Sequence, residues 1–360
     1  MTRPAWTAVR IAGRTAGRDN NFNLLRLLAA IGVLISHAYP ISLGQDAVQP
    51  LSAILGGISL GKLSVMMFFS ISGFFITRSF EQRKTLAGFM QARVLRLFPA
   101  LIVMLAVTVL VAAVALTKAP QGVFWTAVPE YFLRNGTLFF LRYDLPGVFA
   151  ANPYGPAING SLWTLNYEVL CYLGVVLAGL SGVLMRPRIF ALALLGFALA
   201  YSANRLYPQH PRLDGLLMLA LPFLIGMSFW VWRRVIPLSA PLALLLLGLA
   251  YLSRHTPVLE PLLSLARAYA VFVIGYAKIQ VLAAYNGFGD YSYGTYLYAF
   301  PIQQIVAGMG ITVPLTNIAL ALPLTLLCAV LSWYLVEAPA MRLRDRKKRS
   351  GAVSKLVQPR

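Results

Sequence analysis

Charged side chains are scarce in this sequence of 360 residues, and acidic side chains are especially few. Asp, Glu, Lys and Arg together make up 12% of the residues, whereas soluble domains contain about a quarter. Hydrophobic residues reach 59%, and the mean hydropathy is +0.71. This balance excludes a soluble globular domain and indicates an integral membrane protein.

Cysteine is also nearly absent, since only Cys171 and Cys328 occur. Each lies in an apolar run without a nearby His, Asp or Cys, so neither can complete a metal site or a redox pair. We expect both thiols to pack in the protein core. We also expect no metal site and no permanently bound cofactor.

Long apolar runs, by contrast, are abundant. About 20 helical residues are needed to cross a hydrocarbon core that is about 30 Å thick. By this measure the sequence predicts an all-α, polytopic membrane protein with about ten transmembrane helices. The predicted spans cover approximately residues 23–43, 60–80, 94–117, 160–183, 189–206, 215–232, 236–253, 260–280, 290–310 and 315–340.

The distribution of basic residues fits this topology. With both termini in the cytoplasm, 22 of the Lys and Arg residues lie on the inner side and seven on the outer side. Cytoplasmic loops normally carry such an excess, so topology explains the net charge of +20 and we expect no nucleic-acid partner. The chain thus divides into a basic cytoplasmic segment at 1–22, a transmembrane domain at 23–341 and a basic cytoplasmic tail at 342–360.

One predicted outer loop, residues 118–159, is unusually long and contains YDLPGVFAANPYGPAING. Its Pro, Gly and Asn residues favour turns over helix. Loops of this length often carry function, so this loop is a candidate lid or acceptor-binding element. A simple tether between two spans is the alternative.

Four ionisable residues lie well inside predicted spans, where a charge is costly and usually lines a cavity or a pathway. They are Arg26, His37, Glu168 and Arg267. Arg26 and His37 are eleven residues apart, which on a helix is about 16.5 Å and about three turns, so both lie on one stripe. For Arg267 we expect a hydrogen bond between two helices.

His37 and Glu168 lie at comparable depths in the outer half of the bilayer when counted from the predicted helix ends. If their helices face each other, the carboxylate can hold the imidazole tautomer and stabilise its protonated form, as general-base catalysis requires. A buried, hydrogen-bonded structural histidine is the alternative. Glu337, near the inner end of the last span, is expected to pair with a basic residue such as Arg96.

A third feature is QARVLRLFPAL, in which Arg93 and Arg96 are three residues apart and point to one side of a helix. Two guanidinium groups at a cytoplasmic helix start suit a phosphate-bearing ligand. Positive-inside anchoring is the alternative. Because Arg26 also lies at an inner helix end, a passage about 16 Å long would join these arginines to His37, and the thioester arm of coenzyme A can span it.

Six segments, in order, carry a known pattern: Arg26 and His37 with ten residues between them, VMMFFSISGFFITR, RVLRLFPAL, NGSLWTLNYEVLCYL, GDYSYGTYLYAFPIQQ and LSWYLVEAPAMRL. Together they resemble the membrane acyltransferase-3 family of bacterial O-acyltransferases, which modify surface polysaccharides, lipopolysaccharide, peptidoglycan, glycolipid signals or secondary metabolites. The resemblance runs from about residue 20 to residue 342. One departure is Asn23, where family members often carry Asp.

The resemblance implies a multi-pass protein of the bacterial inner membrane. It implies transfer of an acyl group, most often acetyl, from cytoplasmic acyl-CoA to a hydroxyl of a carbohydrate or glycolipid, such as an exopolysaccharide or lipopolysaccharide. It also implies that His37 is the catalytic residue, with Glu168 as the expected partner, and that the donor-binding group comprises Arg26, Arg93 and Arg96, to which we add Tyr293. Direct transfer with His37 as base is favoured over a transient acyl-histidine, and both remain open.

Longer relatives carry a soluble esterase-like domain after the last helix, where this chain has a basic tail. We therefore expect the acceptor to meet the membrane site directly or through a separate periplasmic partner. A rival interpretation is a polytopic transporter of an anionic glycolipid or lipid-linked sugar, with the buried charges forming its pathway. Such folds commonly show paired repeats with broken helices, which we do not detect in the sequence.

Overall fold

The structure, a computed structural model, describes residues 10–15, 20–83, 85–279, 282 and 284–343. Apart from one isolated bridge between Arg10 and Pro237, the regular structure of these residues is helical, which confirms the all-α prediction. Its α-helices, in chain order, are α1 Phe22–Leu43, α2 Leu60–Gln82, α3 Leu86–Val111, α4 Gln121–Thr137, α5 Trp163–Leu180, α6 Pro187–Leu206, α7 Pro211–Val231, α8 Ala240–Leu252, α9 Leu259–Gly275, α10 Ser292–Gly308 and α11 Pro314–Ser332.

Seven helical segments within the described residues are long and apolar enough to cross a membrane. They correspond to α1, α2, α3, α5, α6, α7 and α11, of which α3 and α11 each continue into a π-helical turn. The other three predicted spans coincide with α8, α9 and α10, which have 13, 17 and 17 residues. The chain is thus a multi-pass membrane protein. The count of ten and the cytoplasmic termini stay predictions, and the tail from residue 344 onward lies outside the described residues.

The prediction for residues 118–159 was wrong in its first half, because α4 occupies 17 of them. Phe124, Tyr131 and Asn135 are buried and lie on one face of this helix. This buried stripe is too narrow to produce a clear apolar periodicity, and Pro129 inside the helix is a residue that normally predicts a helix break. Only the second half, from Leu138 with its positive φ of 62°, has the expected turn-rich character.

Two compact units make up the fold. The first unit comprises Met1–Val33, Pro50–Gln82 and Thr164–Gly289, and it contains the start of α1 together with α2 and α5 to α9. The second unit comprises Leu34–Gln49, Arg83–Trp163 and Asp290–Arg360, and it contains the end of α1 together with α3, α4, α10 and α11.

In the first unit, α2 and α7 cross at backbone contact. A methyl group at Gly73 would lie 2.0 Å from the carbonyl oxygen of Phe223, and one at Gly226 would lie 2.0 Å from the carbonyl oxygen of Ser70. Small residues commonly permit such close approach between membrane helices. A cluster of buried aromatic rings, including Phe74 and Phe272 at 4.7 Å, fills the space beside this crossing.

This crossing predicts a matched pair of glycine variants. Gly226→Ala forces a methyl group into the α2 backbone, and overpacking of this kind costs about 1–3 kcal/mol. Gly248→Ala in α8 meets no atom within 4 Å and serves as the control. Thermal unfolding of the purified proteins in detergent should show a lower midpoint for Gly226→Ala alone. Equal midpoints for both variants would contradict the close crossing.

Candidate active site

Arg26 and His37 lie on a single uninterrupted helix, α1. Their eleven-residue separation therefore places them about 16.5 Å apart along the axis and on one face. The helix begins where the backbone N–H of Phe22 donates to Oδ1 of Asn20 at 3.2 Å. Pro40 lies beyond His37, so it does not interrupt the stretch between the two residues.

The His37 ring packs against the ring of Phe300 from α10, with 5.4 Å between centroids in an edge-to-face arrangement. Its Nδ1 atom is buried and has no hydrogen-bond partner among the described residues. Buried polar atoms are normally paired, so an unpaired one needs an explanation. A structural histidine would normally be satisfied by the protein, so the unpaired Nδ1 is consistent with a hydrogen-bond partner that a bound molecule supplies.

The second half of the long loop forms part of the surroundings of His37. The ring of Tyr154 meets Phe300 edge to face at 5.4 Å, and a methyl group at Gly160 would lie 2.8 Å from the same ring. Burial raises the pKa of the Tyr154 phenol above its ordinary value, so this side chain is neutral. The loop therefore supports the aromatic ring on which the imidazole packs.

Hydrogen bonds fix this loop segment along α10. Asn152 donates to the carbonyl and the Oε1 of Gln304 at 2.8 and 2.9 Å, and Gln304 donates in return to the carbonyl of Ala157 at 2.6 Å. Two further bonds run from Asn159 Nδ2 to Leu297 O at 2.9 Å and from Tyr296 Oη to Ser161 O at 2.8 Å. The segment at residues 152–161 is therefore fixed beside His37 and is not a simple tether between two spans.

Arg96 lies between two carboxylates. Its Nη1 is 3.0 Å from Oε2 of Glu337, and its Nη2 is 2.5 Å from Oδ2 of Asp290. The expected pairing of Glu337 with Arg96 is confirmed. Asp290 was not predicted as a partner, although it stands in the quoted segment GDYSYG immediately before α10. Both Nη atoms of Arg96 are therefore engaged in the structure.

A further layer holds these carboxylates in place. Ser332 donates to Oε1 of Glu337 at 3.1 Å, and Ser292 donates to Oδ1 of Asp290 at 2.5 Å. Glu337 ends the π-helical turn Trp333–Glu337 and is 2% exposed. Such turns are frequent at functional sites because the extra residue shifts the side chains that follow it. The arrangement ties α3, α10 and the end of α11 to one guanidinium group.

The other predicted donor-binding residues of the second unit are close to Arg96. Tyr293 places its ring centroid 5.8 Å from the Arg96 guanidinium and donates its hydroxyl to the carbonyl of Leu97 at 2.8 Å. Arg93 lies one turn earlier on α3, is half-buried, and stacks 5.9 Å from the ring of Phe89. The structure therefore brings together Arg96 and Tyr293 as neighbours, with Arg93 on the adjacent turn.

Glu168 and Arg26 belong to the first unit. Oε1 of Glu168 accepts two hydroxyl hydrogen bonds, from Ser72 at 3.0 Å and from Tyr172 at 2.5 Å. The Arg26 guanidinium lies 5.6 Å from the ring centroid of Phe75. The predicted pairing of Glu168 with His37 stays a prediction, and the two hydroxyls on Glu168 are contacts that the sequence did not indicate.

Comparison with known proteins identifies the chain. Residues 19–337 match a family model described as an acyltransferase domain, which spans nearly the whole sequence. The chain belongs to the acyltransferase-3 family. This confirms the resemblance drawn from the six segments, and the protein is an O-acyltransferase.

Two relatives of this acyltransferase extend along almost its full length. An O-acetyl transferase of Shigella phage Sf6 is 29% identical over 346 residues, which cover 89% of this chain and 95% of the relative. Nodulation protein 10 of Rhizobium leguminosarum bv. viciae is 30% identical over 373 residues, covering 92% and 95%. No solved structure gives a significant match.

The carboxylate pair around Arg96 generates a stability prediction for the acyltransferase. Glu337→Ala removes one of the two carboxylates on Arg96 and leaves the ion pair with Asp290, and loss of a hydrogen bond to a charged group costs about 1.5–3 kcal/mol. The thermal midpoint in detergent should fall by several degrees. Glu130→Ala breaks the ion pairs of the half-exposed Glu130 with Arg134 and Arg142 and should leave the midpoint nearly unchanged. A Glu337→Ala midpoint equal to that of the wild type would show that this pair does not hold the helices together.

Proposed function

We propose that this acyltransferase moves an acetyl group from cytoplasmic acyl-CoA to a hydroxyl of a carbohydrate or glycolipid at the outer side of the bacterial inner membrane. The observation that carries the proposal is the buried, unpaired Nδ1 of His37 on the same helix face as Arg26. The name of the phage relative, an O-acetyl transferase, supports acetyl as the group transferred.

The arrangement of α1 supports a donor that enters from the arginine end. Arg26 and Arg93 contact the phosphates of the donor, because guanidinium groups pair well with phosphate oxygens. The thioester arm then extends along α1 over about 16 Å to His37. Arg96 has both Nη atoms on carboxylates, so we assign it to positioning Arg93 and Tyr293 at the donor site.

The chemistry needs one proton transfer and one acyl transfer. His37 accepts the proton of the acceptor hydroxyl while the hydroxyl oxygen attacks the thioester carbonyl. The new C–O bond forms, the C–S bond breaks, and the departing thiolate of CoA takes the proton from the imidazolium. Glu168 is the partner that the sequence predicts for the imidazole, and in this scheme the docked loop segment at residues 152–161 forms the acceptor wall.

An acyl-histidine route uses the same residues, with the imidazole nitrogen attacking the thioester first. The two routes differ in what happens without acceptor. Rapid mixing with acetyl-CoA in the absence of acceptor gives a burst of CoA thiol equal to the amount of protein only in the acyl-histidine route. We favour direct transfer, because a single base suffices when donor and acceptor approach from opposite sides. The transporter interpretation lacks support, since the family is one of acyltransferases.

The catalytic role of His37 has a direct test. His37→Ala should lower the release of CoA thiol by at least about 100-fold, because general-base catalysis typically contributes that much or more. The measurement is thiol release from acetyl-CoA by the purified protein in the presence of membrane-derived acceptor. His255→Ala removes an exposed histidine and should retain activity. Full activity in His37→Ala would refute the proposed mechanism.

The division of roles between the two arginines of α3 has a separate test. Arg93→Gln should raise the KM for acetyl-CoA about tenfold or more while leaving the thermal midpoint nearly unchanged, because one charged hydrogen bond to phosphate is lost. Arg96→Gln should lower the midpoint itself. Arg134→Gln, at an exposed position on α4, is the control for both. A KM effect confined to Arg96→Gln would reverse the assignment.

A further inference from the structure

Among the described residues, Arg267 is a buried cation that the proposed mechanism does not use. It lies within α9, about 12 Å from the first residue of that helix, and is 8% exposed. Its Nη1 donates to the sulfur of Met66 at 3.1 Å, so the expected contact between helices exists but involves only a weak acceptor. Its Nε and Nη2 atoms have no hydrogen-bond partner among the described residues.

The two unsatisfied atoms are not an arbitrary pair. In a guanidinium group, the N–H bonds of Nε and Nη2 lie on the same edge and point in parallel directions. This edge receives the two oxygens of a carboxylate or a phosphate in a bidentate arrangement. An unpaired charge inside a membrane span is costly, so a buried guanidinium edge normally has a partner.

A second unsatisfied group lies on the same face of α9. Ser264 is fully buried, one turn before Arg267, and its hydroxyl has no partner within the described part of the chain. Glu260 lies one further turn back, on the same stripe as Arg267, because seven residues complete almost two full turns. A polar stripe therefore runs from the start of α9 to the unpaired edge of Arg267.

The charges along this stripe are unbalanced. The carboxylate of Glu260 is shared by two cations, Lys62 at 2.7 Å and Arg205 at 3.7 Å. The side chain of Arg205 is 59% exposed, whereas that of Glu260 is only 10% exposed. Glu260 thus forms ion pairs with two cations near the surface. Arg267 lies deeper along α9, and no carboxylate of the described residues is within ion-pair distance of it.

We propose that Arg267 and Ser264 form a binding site for an anionic group with two oxygens, a phosphate or a carboxylate, which enters past Lys62 and Arg205. These residues lie toward the predicted outer side of the membrane. The identity of the ligand rests on the proposed function. The ligand is the acidic group of the acceptor, so the acceptor is a phosphorylated or uronic-acid-bearing carbohydrate. Ser264 donates its hydroxyl to the same anion.

Thermal unfolding of the full-length protein in neutral detergent tests the site with defined probes. Glucose 1-phosphate and glucuronate represent soluble acceptor groups, dioctanoyl phosphatidic acid represents a lipid headgroup, and glucose is the uncharged control. We expect the phosphate or carboxylate sugar to raise the midpoint by about 4 °C at saturation. Glucose should have no effect. A shift with phosphatidic acid alone would assign the site to lipid and overturn the acceptor proposal.

The matched variant is Arg267→Met, which keeps the volume and removes the charge. It should abolish the shift caused by the anionic probes, and without a probe its midpoint should equal or exceed that of the wild type, because it removes an unpaired buried charge. A purely structural arginine would give the opposite result, a lower midpoint and an unchanged shift. If Arg267→Met does not fold, Arg267→Lys keeps the charge without the bidentate edge and should weaken the probe response at least tenfold.

The outcome is separable from that of the proposed reaction. The unfolding assay contains no acyl-CoA, and His37→Ala should show the same anion response as the wild type. A response without thiol release would support the site and contradict the transfer reaction. Thiol release in a protein that gives no response to any anionic probe would overturn the Arg267 site alone.

Discussion

Every ionisable group that this chain carries inside the membrane must be paired within the protein or explained by a ligand. The hydrocarbon environment imposes this constraint, since an isolated charge there costs several kcal/mol. With only 11 acidic residues against 31 Lys and Arg, the sequence has few carboxylates available for pairing. Their positions therefore show which cations belong to the framework.

The carboxylates are distributed unevenly. Two of them, Asp290 and Glu337, form ion pairs with the single guanidinium of Arg96, and these pairs connect three helical segments of the second unit. Glu260 is shared by Lys62 and Arg205 in the first unit. Within the described part of the chain, His37 and Arg267 keep buried nitrogen atoms that no protein group satisfies, and each corresponds to a proposed ligand contact.

Much of the fold was predictable because membrane spans depend on composition and length. All ten predicted spans coincide with helices, and the Arg96–Glu337 pair could be predicted because both residues are ionisable and near one predicted surface. Neighbours among helices could not be predicted. Gly73 packs against Phe223 of α7, which is 150 residues away in sequence. The apolar periodicity of a helix does not indicate which other helix it contacts. Helix α4 was missed because its buried stripe has only three residues.

The candidate site was predictable in its chemistry and less so in its geometry. His37 and Arg26 stand out because ionisable groups are rare in apolar spans, whereas the contact between His37 and Phe300 and the docking of the loop on α10 depend on tertiary packing. The unpaired edge of Arg267 could not be seen at all without atomic positions.

The most direct test of the central claim is a cryo-electron microscopy structure with an acetyl-CoA analogue whose thioester sulfur is replaced by methylene. Our account predicts that the acetyl carbonyl lies within about 4 Å of the His37 imidazole, since a base must reach the reacting hydroxyl beside it. It also predicts that the donor phosphates lie beside Arg26 and Arg93. An acetyl group bound elsewhere, with His37 enclosed only by protein or lipid, would contradict it.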